Sequence, residues 1–127
     1  MSRYLHTSIF VDDMAASIEF YTQHLGLKLL DGPLHYPGNA DMAFVGADWN
    51  SYIELVYDLE AHPPYQVGNR YEHLALEVEE DLPALIERLR AAGVKIVQGP
   101  KKSPGGGRTI AFVEDPNGIP VELLEPR

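Results

Sequence analysis

The chain has 127 residues, 45% hydrophobic and 23% charged, which suits a single globular domain, or two half-size units sharing one fold, with a core of its own. Its 19 Asp and Glu against 10 Lys and Arg give a net charge of -9, which excludes an extended basic face for nucleic acid. The lack of cysteine excludes disulfides, thiolate metal sites and a cysteine nucleophile. No apolar run approaches the ~20 residues that span a bilayer, and no basic segment followed by an apolar one opens the chain, so the sequence reads as a soluble cytoplasmic protein without membrane partners.

LHTSIFVDD alternates, which predicts a strand with Leu5, Thr7, Ile9 and Val11 on one side and His6, Ser8 and Phe10 on the other. Asp12 or Asp13 caps a helix whose Met14, Ile18, Tyr21 and Leu25 recur at helical spacing until Gly26 stops it. LKLL, Leu27 to Leu30, starts a second strand, and Leu34 to Asp41, with Pro37, Gly38 and Asn39, reads as a loop. Strands over Asp41 to Gly46 and Tyr52 to Tyr57 follow, joined by ADWNS as a hairpin connection, with Tyr52, Glu54, Val56 and Asp58 on one face.

This is a βαβββ module over residues 1–58. Residues 59–70, with Pro63, Pro64 and Gly68, read as a linker. A second βαβββ module occupies 71–127. It has a strand from His73 to Val78, then a helix capped near Asp81 with Leu82, Leu85, Ile86 and Leu89 inside and Gly93 as its stop. The strand Val94 to Val97, a glycine-rich loop from Gly99 to Arg108, and a last hairpin turning at Pro116, Asn117 and Gly118 complete it. The fold class is α+β: two βαβββ modules whose curved, mostly antiparallel sheets surround a cleft.

The modules are copies. At an offset of 67, HTSIFV meets HLALEV, Gly26 meets Gly93 and LKLL meets VKIV; at 68, Phe44, Val45, Glu54 and Leu55 meet Phe112, Val113, Glu122 and Leu123. Apolar positions and turn glycines recur because both copies must fold. Folding alone does not require the polar matches, His6 with His73 and Glu54 with Glu122. Two imidazoles and two carboxylates converging on one point form a mixed nitrogen and oxygen site suited to a divalent transition metal. His24, His35 and His62 have no counterpart in the repeat and read as surface or loop residues.

Paired βαβββ units, LHT followed by DDMAASIEFYTQHLGLKLL, IEL around Glu54, EHLAL around His73 and AFVEDPNGIPVELLE together resemble the vicinal oxygen chelate superfamily, most closely its short bacterial glyoxalase I (lactoylglutathione lyase) family. That superfamily also holds epimerases, dioxygenases, thiol transferases and antibiotic-binding proteins, so the fold by itself does not fix the function. The resemblance implies His6, Glu54, His73 and Glu122 as ligands of one divalent metal per site, nickel or cobalt ahead of zinc. It further implies isomerisation of the hemithioacetal of methylglyoxal and a thiol through an enediolate, with Glu122 ahead of Glu54 as the catalytic base. Dioxygenases keep three protein ligands, and epimerases usually carry glutamine where this chain has Glu54. A homodimer with each site shared across its interface is implied as well; the sequence is equally consistent with both modules of one chain meeting.

One part of the pattern departs. Glutathione-using members carry an arginine four residues after the first histidine and an asparagine four after the first glutamate, where this chain has Phe10 and Asp58. A ring and a carboxylate do not replace a guanidinium that forks onto a carboxylate. Arg70, Lys101, Lys102 and Arg108 are the cations left to compensate, the last three on the glycine-rich segment.

Overall fold

The computed structural model describes residues 1–60 and 65–126. The chain divides into two compact units, Met1–Gln66 and Val67–Arg127, the boundary falling inside the 59–70 segment; Pro63, Pro64 and His62 lie outside the described residues.

In the first unit β1 (His6–Phe10), α1 (Met14–Glu19), β2 (Lys28–Tyr36), β3 (Ala40–Asp48) and β4 (Ser51–Asp58) form a four-stranded sheet of order β1-β4-β3-β2 beneath the helix. Only β1 and β4 run parallel. The Asp13 carboxylate accepts from the Ala16 amide at 2.9 Å, satisfying a donor the helix start leaves orphaned. α1 continues into a π-helical turn, Phe20–His24, which rotates the helix phase. Ser17, Phe20 and Tyr21, at helical spacing, are its buried residues, while Met14, Ile18 and Leu25 are half-buried. They cover Ile9, Val11, Ala43, Val45, Ile53 and Leu55, the buried residues of the strands and of the position just after β1.

The second unit repeats this plan. β5 (Leu74–Glu77), α2 (Leu82–Ala91), β6 (Lys95–Lys102), β7 (Thr109–Glu114) and β8 (Pro120–Leu124) give the order β5-β8-β7-β6, again with one parallel pair, β5 with β8. Asp81 caps α2 through the Ala84 amide. Leu82, Leu85, Ile86 and Leu89 are all buried, each side chain contributing about 1.5–3 kcal/mol by leaving water.

The edge strands β2 and β6 are longer than the sequence suggests. The stretch read as a loop from Leu34 to Asp41 is strand on both sides of Pro37–Asn39, and Gly99 to Lys102 belong to β6. Both misread stretches adjoin a Gly-Pro pair, Gly32-Pro33 and Gly99-Pro100. Each pair sits in a shift of register, between Asp31 and Leu34 and between Gln98 and Lys101. Proline lacks a ladder donor, yet an edge strand with a bulge accommodates it. The glycines have φ of +93° and +89°, and a Cβ on either would sit 2.5 Å from Met42 O or 2.7 Å from Ile110 O. Both conformation and space exclude a side chain there.

Gly99→Ala should therefore lower stability by about 2 kcal/mol or more, combining backbone strain with overpacking. Gly105→Ala, at φ +85° with open space around the Cβ, should cost about 1 kcal/mol from backbone strain alone. Thermal or urea unfolding of the two variants checks this ranking.

Candidate active site

The parallel pairing of β1 with β4 sets Ser8 opposite Glu54 and His6 opposite Tyr52. Because residues i and i+2 share a face, His6 and Glu54 emerge on the same side as diagonal neighbours. His6 Nε2 lies 3.0 Å from Glu54 Oε2. The imidazole is held flat by Tyr52, stacked at a centroid distance of 4.8 Å and an interplanar angle of 20°. Phe44 and Trp49 brace Tyr52 from the side, at 6.0 and 5.2 Å. These three aromatics pack in the hairpin, as their spacing suggests, but the positioning of His6 by Tyr52 becomes legible only once the strand register is known.

The second unit repeats the arrangement. Ala75 stands opposite Glu122, so His73, just ahead of β5, is again diagonal to its glutamate. His73 Nε2 is 3.5 Å from Glu122 Oε1, and Phe112 meets the imidazole edge-on at 5.3 Å. The offsets of 67 and 68 differ by one residue, and the register absorbs it: 8 with 54 becomes 75 with 122. Glu122 is set on its strand by the preceding turn, where the buried Asp115 carboxylate accepts from the amides of Asn117 and Ile119 at 2.7 and 2.9 Å and from Asn117 Nδ2 at 3.1 Å.

Each unit thus presents one imidazole nitrogen and one carboxylate oxygen, the carboxylates only 17% and 16% exposed. Two donors each ~2.1 Å from one cation and at right angles stand ~3 Å apart, so separations of 3.0 and 3.5 Å fit a shared divalent ion. The outer nitrogens, His6 Nδ1 and His73 Nδ1, are buried without a hydrogen bond. Glu72 Oε1 lies 3.4 Å from His73 Nδ1, close enough for charge attraction but outside hydrogen-bond geometry. One unit supplies two donors, too few to hold a metal by itself, and no group of three or more His, Cys, Asp or Glu that could do so occurs among the described residues.

The other predicted site residues separate. Phe10 is 52% exposed, four residues along β1 from His6 on the same side, and stacks on Tyr65 at 5.1 Å. Asp58 ends β4 on that side, accepting from the Glu60 amide at 2.9 Å. Lys101 and Lys102 are exposed on β6, with Lys102 Nζ 3.3 Å from Thr109 Oγ1, and Arg70 is exposed ahead of β5. Arg108 is engaged: its guanidinium donates to Glu77 at 2.7 Å and to Glu125 O at 2.8 Å. Tyr65 and Asp115 are the participants that sequence reasoning missed, while Glu77, which by sequence shares the face of His73 in the place of Phe10 and could contact substrate or solvent, is held by Arg108. Only Asp115, in the DPNG turn, carried a local signal. Of the remaining histidines, His35 pairs with Asp41 at 3.0 Å and His24 lies 4.0 Å from Glu19.

Residues 3–123 match the family described as the Glyoxalase/Bleomycin resistance protein/Dioxygenase superfamily. A lactoylglutathione lyase of Salmonella typhimurium is 39% identical over 128 residues, covering 98% of this chain and 93% of that protein. A lactoylglutathione lyase of Arabidopsis thaliana is 36% identical over 97% of this chain, which spans only 44% of its length. Among solved structures, the trypanothione-dependent glyoxalase I of Leishmania major aligns with a TM-score of 0.80 and 34% identity, over 98% of this chain and 87% of that one.

Asp115→Ala should destabilise the second unit by about 3 kcal/mol, since it strands donors that a buried charged acceptor now satisfies. Asp115→Asn should recover part of that loss. Unfolding midpoints of the two variants report it.

Proposed function

Because the chain belongs to the glyoxalase/bleomycin resistance protein/dioxygenase superfamily, we propose that it is a metal-dependent lyase of the glyoxalase I kind, acting on the hemithioacetal of methylglyoxal and a thiol. The observation that carries this reading is the repeated diagonal His–Glu pair, His6 with Glu54 and His73 with Glu122, in identical register. Proteins of this superfamily generally bind a divalent metal. His6, Glu54, His73 and Glu122 would hold it here, with nickel or cobalt ahead of zinc, as the resemblance to short bacterial glyoxalase I implies. When bound, the ion would supply positive charge beside two vicinal substrate oxygens, which acidifies the carbon-bound proton next to the carbonyl.

The chain's own part is to move one proton. A carboxylate takes the proton from the sulfur-bearing carbon and returns it to the neighbouring carbonyl carbon while the hydroxyl proton passes between the two oxygens, so hydroxyl and carbonyl exchange places with no redox partner. Glu122 is assigned as the base and Glu54 as its ligand counterpart. Their shared strand positions, opposite Phe112 and Phe44, put a carboxylate beside an aromatic ring that limits water. The thiol is the variable component, since one relative is lactoylglutathione lyase and another a trypanothione-dependent glyoxalase I.

Two donors per unit mean that each site needs both kinds of unit. We assign them to different subunits of a homodimer, His6 and Glu54 from one protomer, His73 and Glu122 from its partner.

Metal-stripped protein should be inactive on the methylglyoxal hemithioacetals and regain activity with nickel or cobalt more than with zinc. Glu122→Gln should then lower kcat by about 10²–10⁴ with the fold intact. Loss of turnover with every divalent ion and every thiol adduct would overturn the reading. Mixing and reassembling Glu54→Gln with Glu122→Gln protein tests the sharing of sites: a mixed dimer holds one intact site, so about a quarter of wild-type activity should return. If both modules of one chain build the site, none returns.

A further inference from the structure

Resting on the metal-dependent reading, we propose that Tyr52 is a positioning residue for the first unit's metal donor. The face of its ring, in place of a hydrogen bond to the outer nitrogen, fixes the plane of His6 and supports the imidazole once Nε2 is given to a cation.

His6 Nε2 meets Glu54 only in one orientation of its ring, and the torsion that sets this orientation is intrinsically broad. A metal-binding histidine is ordinarily pinned by a hydrogen bond from its other ring nitrogen to a carboxylate, a carbonyl or water. His6 Nδ1 is buried and makes none. The Tyr52 ring takes over that task, stacked on the imidazole at 4.8 Å with 20° between the planes. Parallel pairing sets Tyr52 directly opposite His6 and two residues before Glu54 on the same side, so ring and carboxylate hold the imidazole from two directions. An imidazole that gives its Nε2 lone pair to a divalent ion takes on part of the positive charge, which the electron-rich face of a phenol ring attracts. The stack is therefore stronger with metal than without, and by linkage that difference is metal affinity.

Folding of the sheet does not ask for this ring. At the offset of 68 Tyr52 meets Pro120, and in the second unit Phe112 approaches His73 edge-on, with 83° between the planes. The residue across β3 differs in step: Gly46 stands opposite Tyr52, where the second unit sets Glu114 opposite Pro120. A Cβ on Gly46 would lie 2.7 Å from Tyr52 Cβ, so the bare glycine gives the tyrosine its room. Phe44 and Trp49 meet Tyr52 at steep angles, 65° and 76°, and the stacked contact is the one with His6. Trp49 remains 49% exposed, so the cluster is a wall beside the donor pair and not a piece of the core.

The probe is nickel itself, bound to metal-stripped full-length protein in competition with a chromophoric chelator. Tyr52→Phe should keep Kd within about threefold of wild type, and Tyr52→Leu should raise it by about 10–100-fold, the usual loss when a metal ligand's support is removed. Tyr52→Phe carrying a progressively fluorinated ring keeps the shape of the side chain while draining charge from its face, so Kd should climb step by step along that series. Thermal unfolding of the metal-free variants reports the fold, and should leucine disturb it, the fluorinated series decides alone. A role in packing only would shift the unfolding midpoint of Tyr52→Leu and leave the fluorinated series flat. Nickel held as tightly by folded Tyr52→Leu protein as by wild type, or a Kd that is flat across the fluorinated rings, overturns this inference and leaves the metal-dependent reading standing. Wild-type protein that binds no nickel, cobalt or zinc overturns both.

Discussion

The parallel contact between the first and last strands of each βαβββ unit is the constraint on which the rest depends. Parallel neighbours need a long connection, and here the helix and two further strands supply it. The pairing brings residues nearly fifty positions apart onto adjacent strands, and its register decides whether a histidine and a glutamate meet as diagonal neighbours or face opposite ways. A slip of one residue would turn Glu54 or Glu122 into the core, where Ile53, Leu55, Val121 and Leu123 now lie. The hydrophobic alternation that folds the sheet is thus the same pattern that holds the two donors 3.0 or 3.5 Å apart. Chemistry and stability are specified together.

Much of this was legible because the chain states it twice. The repeat at offsets of 67 and 68 matched strands of the two units and the four polar survivors, and the structure places each survivor on the side opposite the apolar core. What stayed hidden has definite physical causes. Gly32-Pro33 and Gly99-Pro100 looked like loop punctuation, because a proline in a strand is tolerated only at an edge with a bulge, and sequence alone does not say which strand will be the edge. In the first helix the deepest stripe runs through Ser17, Phe20 and Tyr21 rather than Met14 and Ile18, because a small polar serine on the buried side gives no apolar signal in sequence. Arg108 reads as a loop cation in sequence, but strand pairing brings it to Glu77, thirty-one residues away.

Duplication also explains why the units differ where they do. Each keeps the His–Glu diagonal and a phenylalanine opposite the glutamate, since the donors need the same support in both. At the far end of the face the copies diverge: Phe10 stacked on Tyr65 in one, Glu77 paired with Arg108 in the other. The donors repeat from unit to unit, while the far ends of the two faces do not. The symmetric part of the face suits a cation; the asymmetric part suits an organic ligand.

The charge distribution sharpens that division. An ion pair such as Glu77–Arg108 closes a position by satisfying both partners, and at the surface it contributes about 1 kcal/mol or less to stability. Its effect is therefore better understood as removing a charge from the face than as holding the fold. The aromatic pair at the corresponding end of the first unit does the reverse, exposing apolar area and π surface among carboxylates with only two basic side chains in the whole unit. The departure of Phe10 and Asp58 from the glutathione-binding pattern puts a ring and a carboxylate at one end of the face where that pattern has a guanidinium and an amide. The donor pair at the other end is unchanged, so the chemistry of proton transfer is separable from the identity of the arm that delivers the substrate.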